Sequence, residues 1–114
     1  MNILGFENSI AWKKSRVLTN KLYKIFGDSK DYSFKDQILR ASVSIMNNIS
    51  EGFDRGTDKE FKYFLYIARG SNAEVRSMLF IAMDQNYITK EEYTDLLNIN
   101  QEIGRLLTGF IKKL

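Results

Sequence analysis

Basic side chains in the first part of the chain are the residues best suited to chemistry, and that chemistry is the binding of phosphate groups. No Asp or Glu lies between Ser9 and Phe26, where the sequence carries Lys13, Lys14, Arg16, Lys21 and Lys24. Such a helix can neutralise the phosphates of an RNA or DNA backbone, and each neutralised phosphate releases condensed counterions. The alternative is an ordinary solvated face, on which the stems of Lys and Arg cover apolar flanks. Three more cations would extend the surface if the fold brings them close: Arg55, Lys59 and Lys62.

A second polar group lies where small and polar residues interrupt the apolar pattern in the middle of the chain. Its members are Arg40, Asn48, Glu51, Arg69 and Glu74. The two glutamates could act as a general acid and base, or hold a metal ion. The interpretation we favour is structural: Arg and Glu of neighbouring helices neutralise one another and fix the register. Ser44 and Ser71 would complete this network or permit close approach of the helices.

The residues on which most enzymes rely are missing. The sequence has neither Cys nor His, which excludes disulfides, thiol nucleophiles and the Glu-x-x-His pairs of helical di-iron proteins. The lack of His also removes the usual general base at neutral pH. There is no Asp-x-Asp run and no Gly-rich phosphate loop. We therefore predict a protein that is not an enzyme and that uses no cofactor or metal.

Aromatic residues at helical spacing offer a second means of holding nucleic acid. Trp12, Tyr23, Tyr63 and Tyr66 could stack on the bases of a single strand. Aromatic residues beside apolar ones are more often part of a core or a subunit interface. No helix-turn-helix, RNP motif or zinc finger is present, so the sequence does not indicate sequence-specific readout.

The composition indicates that helices position these residues. Of the 114 residues, 44% are hydrophobic and 27% charged, which is typical of a globular domain, and none is proline. A chain with no Pro and few Gly lacks the turn signals of an all-β fold. We predict one domain spanning residues 1–114, with a net charge of +3 that permits binding to a polyanion. Neither a leader pattern nor an apolar stretch of about 18 residues is present, so we expect a cytoplasmic protein that does not enter a membrane.

Capping signals divide the chain into four amphipathic helices. Ser9 and Ser33 are predicted caps, and Thr57 and Thr89 each begin a capping box with a Glu three residues later. Gly27 is the expected left-handed residue after the first helix. The predicted limits are Ser9 to Phe26, Ser33 to a point between Glu51 and Arg55, Thr57 to about Gln85, and Thr89 to the end of the chain. Short connections between four such helices predict an all-α, antiparallel up-down-up-down bundle.

Apolar residues recur at spacings of three and four along each helix and define the predicted core. The third helix differs, because it carries two stripes rather than one. The first stripe contains Phe61, Phe64 or Leu65, Ala68, Ser71 or Asn72, Val75, Leu79 and Ala82. The second contains Tyr63, Ile67, Gly70, Met78 and Ile81. A helix that is apolar on two sides is either central or shared with a neighbouring subunit, so the sequence favours a homo-oligomer.

With the helices laid out, the sequence resembles the four-helix-bundle family of 23S rRNA intervening-sequence proteins over essentially its whole length. The Asn-Ile-x-Glu-Gly and Ala-Arg-Gly-Ser pieces are specific in combination. The matching residues are Phe6-Glu7, Ala11-Trp12-Lys13-Lys14, Asp36-Gln37-Ile38 with Arg40, Val43-Ser44-Ile45, Asn48 to Gly52, Lys59-Glu60-Phe61, Phe64 to Ser71 with Glu74, Tyr87-Ile88 and the acidic run into Tyr93. One departure is Met46, where the family often has Pro, and this should leave the second helix straighter.

The resemblance implies a left-handed up-down bundle that assembles into ring-like homo-oligomers, pentamers among them. The family name records genes found inside segments inserted into rRNA genes and does not establish rRNA binding. Accessory proteins of diversity-generating retroelements are similar in architecture, and they bind nucleic acid and a reverse transcriptase. That distant likeness favours nucleic-acid binding but assigns a role to no residue of this chain.

Two hypotheses of function follow from the sequence. The first is an oligomeric, non-enzymatic protein that binds the RNA or DNA backbone through the basic first helix. The second is a structural or adaptor protein that contacts other proteins through its basic first helix and its fourth helix. The fourth helix is acidic between Lys90 and Glu102, with Glu91, Glu92, Asp95 and Glu102 against one Lys. In a ring, each basic helix is repeated by symmetry and the charged surfaces add, which strengthens the first hypothesis.

Overall fold

The computed structural model describes residues 5–114 and is all-helical over that range. A single 3₁₀ turn at Phe6–Asn8 precedes four α-helices. Their bounds are α1 Ile10–Phe26, α2 Tyr32–Phe53, α3 Asp58–Asp84 and α4 Lys90–Lys113. The molecule is elongated along the helices, with extents of 43 × 22 × 19 Å. No helix in the described part of the chain is both long and apolar enough to cross a membrane.

Each helix packs against two neighbours, which confirms the predicted antiparallel bundle. α1 packs against α2 and α4, and α3 packs against the same two helices, most extensively against α2. Within residues 5–114, the backbones of the diagonal pairs, α1 with α3 and α2 with α4, do not come close, although Phe53 of α2 packs edge-on against Phe110 of α4 with ring centres 6.2 Å apart. The four helices therefore stand at the corners of a square, and any surface that combines α1 with α3 must lie at an end of the bundle.

Side-chain caps set the beginnings of α1, α3 and α4 at the predicted residues. Ser9 accepts a hydrogen bond from the Trp12 amide at 3.4 Å, and Thr57 accepts one from the Glu60 amide at 3.2 Å. Thr89 and Glu92 form a complete capping box, in which the side chain of each residue accepts a hydrogen bond from the backbone amide of the other. The box at Thr57 is only half formed, because the Thr57 hydroxyl donates to the Glu60 carboxylate at 3.0 Å. These caps satisfy amides that have no partner inside the helix.

Two predictions near the first connection are wrong. α2 is capped by Asp31 rather than Ser33, because the Asp31 carboxylate accepts from the Phe34 amide at 3.2 Å and the helix begins at Tyr32. Gly27 has φ −54° and ψ −35°, so it extends the turn of α1 instead of adopting a left-handed conformation. Its amide donates to the Tyr23 carbonyl at 2.9 Å and continues the helical pattern. Among the described residues, positive φ occurs instead at Gly56 and Asn86, in the later connections.

Asp31 also links the two connections at one end of the bundle. Its carboxylate accepts a hydrogen bond of 2.6 Å from the Tyr87 hydroxyl, so the α1–α2 connection is tied to the α3–α4 connection. This bond, with the Phe34 amide, lowers the pKa of Asp31, because both donors favour the charged carboxylate. The same bond raises the pKa of Tyr87, since the phenol would lose its acceptor by becoming an anion beside Asp31.

The core consists of the apolar stripes predicted from the spacing. Its largest fully buried side chains come from all four helices: Phe26, Phe61, Leu18, Leu22, Ile38, Ile45, Ile49, Leu65, Leu79, Leu96, Ile103 and Leu107. Where the sequence left alternatives on α3, the structure buries Leu65 and Asn72 rather than Phe64 and Ser71. Ile25 and Phe53, whose spacing also places them on the apolar faces of their helices, are only partly buried and pack against this core.

The second stripe of α3 faces outward, apart from one residue. Tyr63, Ile67 and Ile81 are 62%, 37% and 45% exposed, and Gly70 is exposed as well. Met78 is buried in the core instead, at 5% exposure. The outward part of this stripe is called the α3 outer face below, and it consists of Tyr63, Ile67, Gly70 and Ile81.

One polar pair crosses the core between α3 and α4. The Asn72 side-chain amide donates to the Asn100 carbonyl at 2.9 Å, and the Asn100 amide donates to the Asn72 carbonyl at 2.8 Å and to Asn72 Oδ1 at 2.9 Å. Both residues are nearly fully buried, at 5% and 1% exposure. A displacement of one helix along the other would break all three bonds and leave buried polar atoms unpaired, so this pair fixes the register of α3 on α4.

Candidate nucleic-acid interface

The basic residues of α1 separate into an outward row and an inward pair. Ala11, Leu18 and Leu22 turn one side of the helix into the core. Lys13, Arg16 and Lys24 are exposed on the other side and make no ion pair with any residue in the range 5–114. This outward row is the part of the predicted surface that is available for an anionic partner.

Lys14 and Lys21 lie at the edge of α1 that borders α4. Lys14 Nζ is 3.4 Å from a Glu102 carboxylate oxygen, and Lys21 Nζ is 2.6 Å from Asp95 Oδ2. All four side chains are about half exposed, so each pair contributes little to the free energy of folding. The pairs nevertheless engage two of the five predicted cations with acidic residues of α4. The structure therefore does not present the five as one unpartnered surface.

Aromatic residues support Arg16 at the N-terminal end of the row. The Arg16 guanidinium lies 5.7 Å from the centre of the Trp12 ring, and Trp12 packs edge-on against Phe6 with ring centres 5.2 Å apart. These contacts position the cation over an apolar surface. Tyr23 is on α1, but Tyr63 and Tyr66 are on the diagonal helix α3, so the four aromatic residues considered for base stacking do not form one platform.

The cations near the α2–α3 connection do not extend the row freely. Arg55 lies beside the 3₁₀ turn, in a shallow groove that it lines together with Phe6 and Glu51. Its guanidinium donates to Glu51 at 2.8 Å and lies 4.8 Å from the Phe64 ring centre. Lys59 and Lys62 are on α3, the helix diagonal to α1. Arg55 is thus near the outward row but already neutralised, and the two lysines are on a different side.

The predicted polar network of Arg40, Asn48, Glu51, Arg69 and Glu74 does not form as one cluster. Asn48 donates to the Ser44 carbonyl and hydroxyl at 2.8 and 3.1 Å, and Ser44 bonds Ser71 at 2.8 Å, which joins α2 to α3 as expected. Within residues 5–114, Arg and Glu of different helices do not neutralise one another at these positions. Glu51 pairs with Arg55, Glu74 accepts from Gln37 at 3.3 Å, and Arg69 donates to Thr108 at 3.3 Å.

The reason for this difference is exposure. Arg40, Glu51 and Glu74 lie on the solvent side of their helices, where water solvates a charge as well as a partner across the bundle would. The register is fixed instead by uncharged groups, Ser44 with Ser71 and Asn72 with Asn100. The described residues also contain no group of three acidic side chains placed to hold a metal ion.

A second basic surface, which was not predicted from the sequence, lies between α3 and α4. Arg69 and Arg76 line one wall of a groove of about 740 Å³, and Arg105 and Lys112 line the other. No acidic residue lines it. The signal was present in the sequence as two seven-residue spacings, Arg69 to Arg76 and Arg105 to Lys112. It could be recognised only once the register of the two helices was known.

Comparison with known proteins agrees with the fold. The family described as 23S rRNA-intervening sequence protein matches residues 7–109. Among solved structures, a protein of unknown function from the S23 ribosomal protein family of Bacteroides thetaiotaomicron VPI-5482 superposes with a TM-score of 0.84 at 30% sequence identity. The superposition covers 90% of this chain and 99% of that one. No protein of curated function matches the sequence.

Proposed function

Because the chain belongs to the 23S rRNA-intervening sequence protein family, we propose that it is a non-enzymatic, oligomeric helical bundle that binds the backbone of RNA or DNA. The observation that carries this proposal is the outward row of α1. Lys13, Arg16 and Lys24 are solvent-exposed, and α1 contains no acidic residue. Cations in such a row can approach successive phosphates without first breaking an ion pair.

The oligomeric part of the proposal rests on the α3 outer face. Gly70 lies in the middle of a 27-residue helix, where glycine costs about 1 kcal/mol relative to alanine. A Cβ at this position would meet nothing within 4 Å, so packing inside the subunit gives no reason for glycine. Close approach of a second copy supplies one, and the exposed Tyr63, Ile67 and Ile81 beside it supply apolar area. This agrees with the ring-like assembly that the family resemblance implies.

The adaptor hypothesis is less well supported. It requires the charges of α1 and α4 to be available to other proteins, whereas Lys14 and Lys21 pair with Glu102 and Asp95 within the subunit. The complementary charge of these two helices has a sufficient explanation in their mutual packing. No contact in the described part of the chain favours a protein partner over a nucleic acid.

Charge reversal of the outward row tests the nucleic-acid proposal. We expect Lys13→Glu/Arg16→Glu/Lys24→Glu to weaken binding of a labelled RNA oligonucleotide, measured by fluorescence anisotropy, by at least about tenfold at low salt, because three phosphate contacts become repulsive. The side chains are exposed, so the helical circular dichroism should not change. A matched control, Lys30→Glu/Lys90→Glu/Lys59→Glu, makes the same change in net charge at exposed positions outside the row.

Two results would contradict the proposal at different levels. If the outward-row variant binds as tightly as the parent protein, the row is not the binding surface. If the parent protein binds neither RNA nor DNA at low salt, the proposal of nucleic-acid binding itself fails.

A further inference from the structure

All the charged residues that line the groove between α3 and α4 are positive. Arg69, Arg76, Arg105 and Lys112 line it, and none of them makes an ion pair with another residue between 5 and 114. Arg76, Arg105 and Lys112 are exposed, and Arg69 is half-buried. Four like charges around one groove repel one another, so an anionic partner would relieve a cost already present in the free protein.

Small residues line part of the groove. Ala73, Gly104 and Gly109 form part of its lining. A Cβ at Gly104 would come within 3.4 Å of Asn72 Nδ2, at the bottom of the groove. The Asn72–Asn100 pair lies beneath these residues and holds the two helices in one register. The same bonds therefore set where the arginines of α3 stand relative to the cations of α4.

The cations form a line rather than a single cluster. Arg69 lies level with Thr108, to which it donates a hydrogen bond of 3.3 Å. Because α3 and α4 are antiparallel, Lys112 stands about four residues to one side of Arg69, and Arg76 stands seven residues to the other. At about 1.5 Å per residue, the cations extend over roughly 17 Å. This length suits several linked anionic groups, whereas one free phosphate would contact only part of it.

We propose that this groove binds the phosphodiester backbone of single-stranded nucleic acid. Guanidinium groups form forked hydrogen bonds with phosphate oxygens, and the Arg69 guanidinium is already held in place by Thr108 and by the Tyr66 ring, 4.9 Å away. A single strand is flexible enough to follow a groove between two packed helices along its length, whereas a stiff double helix would contact only the rim of the groove.

The inference depends on the proposed nucleic-acid function but assigns it a different surface, on the side of the bundle away from the outward row of α1. The two surfaces can therefore be tested separately. The competing occupant is an acidic segment of another protein. If the groove binds such a segment instead, substitutions in the groove should not change the affinity for single-stranded RNA.

The test is the affinity of the full chain for a labelled oligouridylate as a function of salt concentration. We expect Arg76→Glu/Arg105→Glu to weaken binding by about tenfold or more and to reduce the slope of log affinity against log salt by about 1.4, because two phosphate contacts are lost. Lys30→Glu/Lys90→Glu is the control with the same change in net charge. Both pairs are exposed and without ion-pair partners among residues 5–114.

A second variant distinguishes a strand that lies in the groove from one that is held only by the positive charge of the protein. Ala73→Leu fills the groove with an apolar side chain at an exposed helical position and leaves the charge unchanged. We expect it to weaken binding several-fold with little change in the salt slope. Equal losses in the Arg76/Arg105 variant and its control, or full binding by Ala73→Leu, would overturn the inference. If only the α1 variant loses binding, the inference that the groove binds nucleic acid is wrong, while the proposed function stands. If the parent protein does not bind nucleic acid, both the inference and the proposed function are wrong.

Discussion

Asn100→Leu should lower the free energy of unfolding by about 3 kcal/mol. The substitution removes the amide that donates to the Asn72 carbonyl and to Asn72 Oδ1 and leaves that buried oxygen without a donor. Leaving a buried polar group without its partner costs about 1–3 kcal/mol, and the loss of two hydrogen bonds places the expected effect at the upper end of that range. This is a large part of the total stability of a single domain, which is about 5–15 kcal/mol.

The double variant Asn72→Leu/Asn100→Leu gives the sharper result. Replacing both partners by apolar side chains of similar size removes the unpaired group, so the double variant should be more stable than the sum of the single losses predicts. Urea denaturation of the four proteins, at one fixed concentration because assembly would add to stability, measures the coupling. Additive losses would show that the two residues act independently, contrary to their three shared hydrogen bonds.

Ile67→Glu or Ile81→Glu should convert an assembled protein into a monomer of 13.3 kDa. In the isolated subunit both residues are partly exposed, at 37% and 45%, so a charge there changes the stability of the subunit little. In an interface through the α3 outer face, the same charge would be buried without a partner, at a cost of several kcal/mol. Mass measurement by light scattering, with circular dichroism to confirm folding, checks this expectation.

Val17→Glu is the matched control for these substitutions. Val17 is an apolar residue of α1 with 44% exposure and lies outside the α3 outer face. We expect the Val17 variant to retain the parent mass. A folded Ile67 or Ile81 variant with unchanged mass would show that this face is not the interface, and a monomeric parent protein would contradict the oligomeric proposal.

The sequence predicted those parts of the fold that local interactions determine. Helix caps at Ser9, Thr57 and Thr89 depend on a hydroxyl and an amide three residues away, so they can be read from neighbouring residues. Ser33 was a reasonable cap by the same rule. Asp31, which satisfies the same rule through the Phe34 amide, is the actual cap, and its additional hydrogen bond from the Tyr87 hydroxyl of a distant connection is one that no local pattern contains.

The candidate surfaces depend on how the helices are rotated and aligned, which the sequence pattern does not contain. The spacing placed five cations on α1, but only the packing against α4 shows that Lys14 and Lys21 border Glu102 and Asp95. The basic groove likewise depends on how two helices are aligned. Arg69 and Arg105 are far apart in the chain, and they share a surface because the Asn72–Asn100 pair aligns α3 with α4.

The salt dependence of single-stranded RNA binding by the parent protein is the most direct test of the view that basic surfaces of this bundle bind phosphodiester backbones. If the four cations of the groove each neutralise one phosphate, log affinity should fall linearly with log salt with a slope of about −2.8, and more steeply if the outward row of α1 contributes. No binding at low salt, or binding that does not weaken as salt is added, would contradict it.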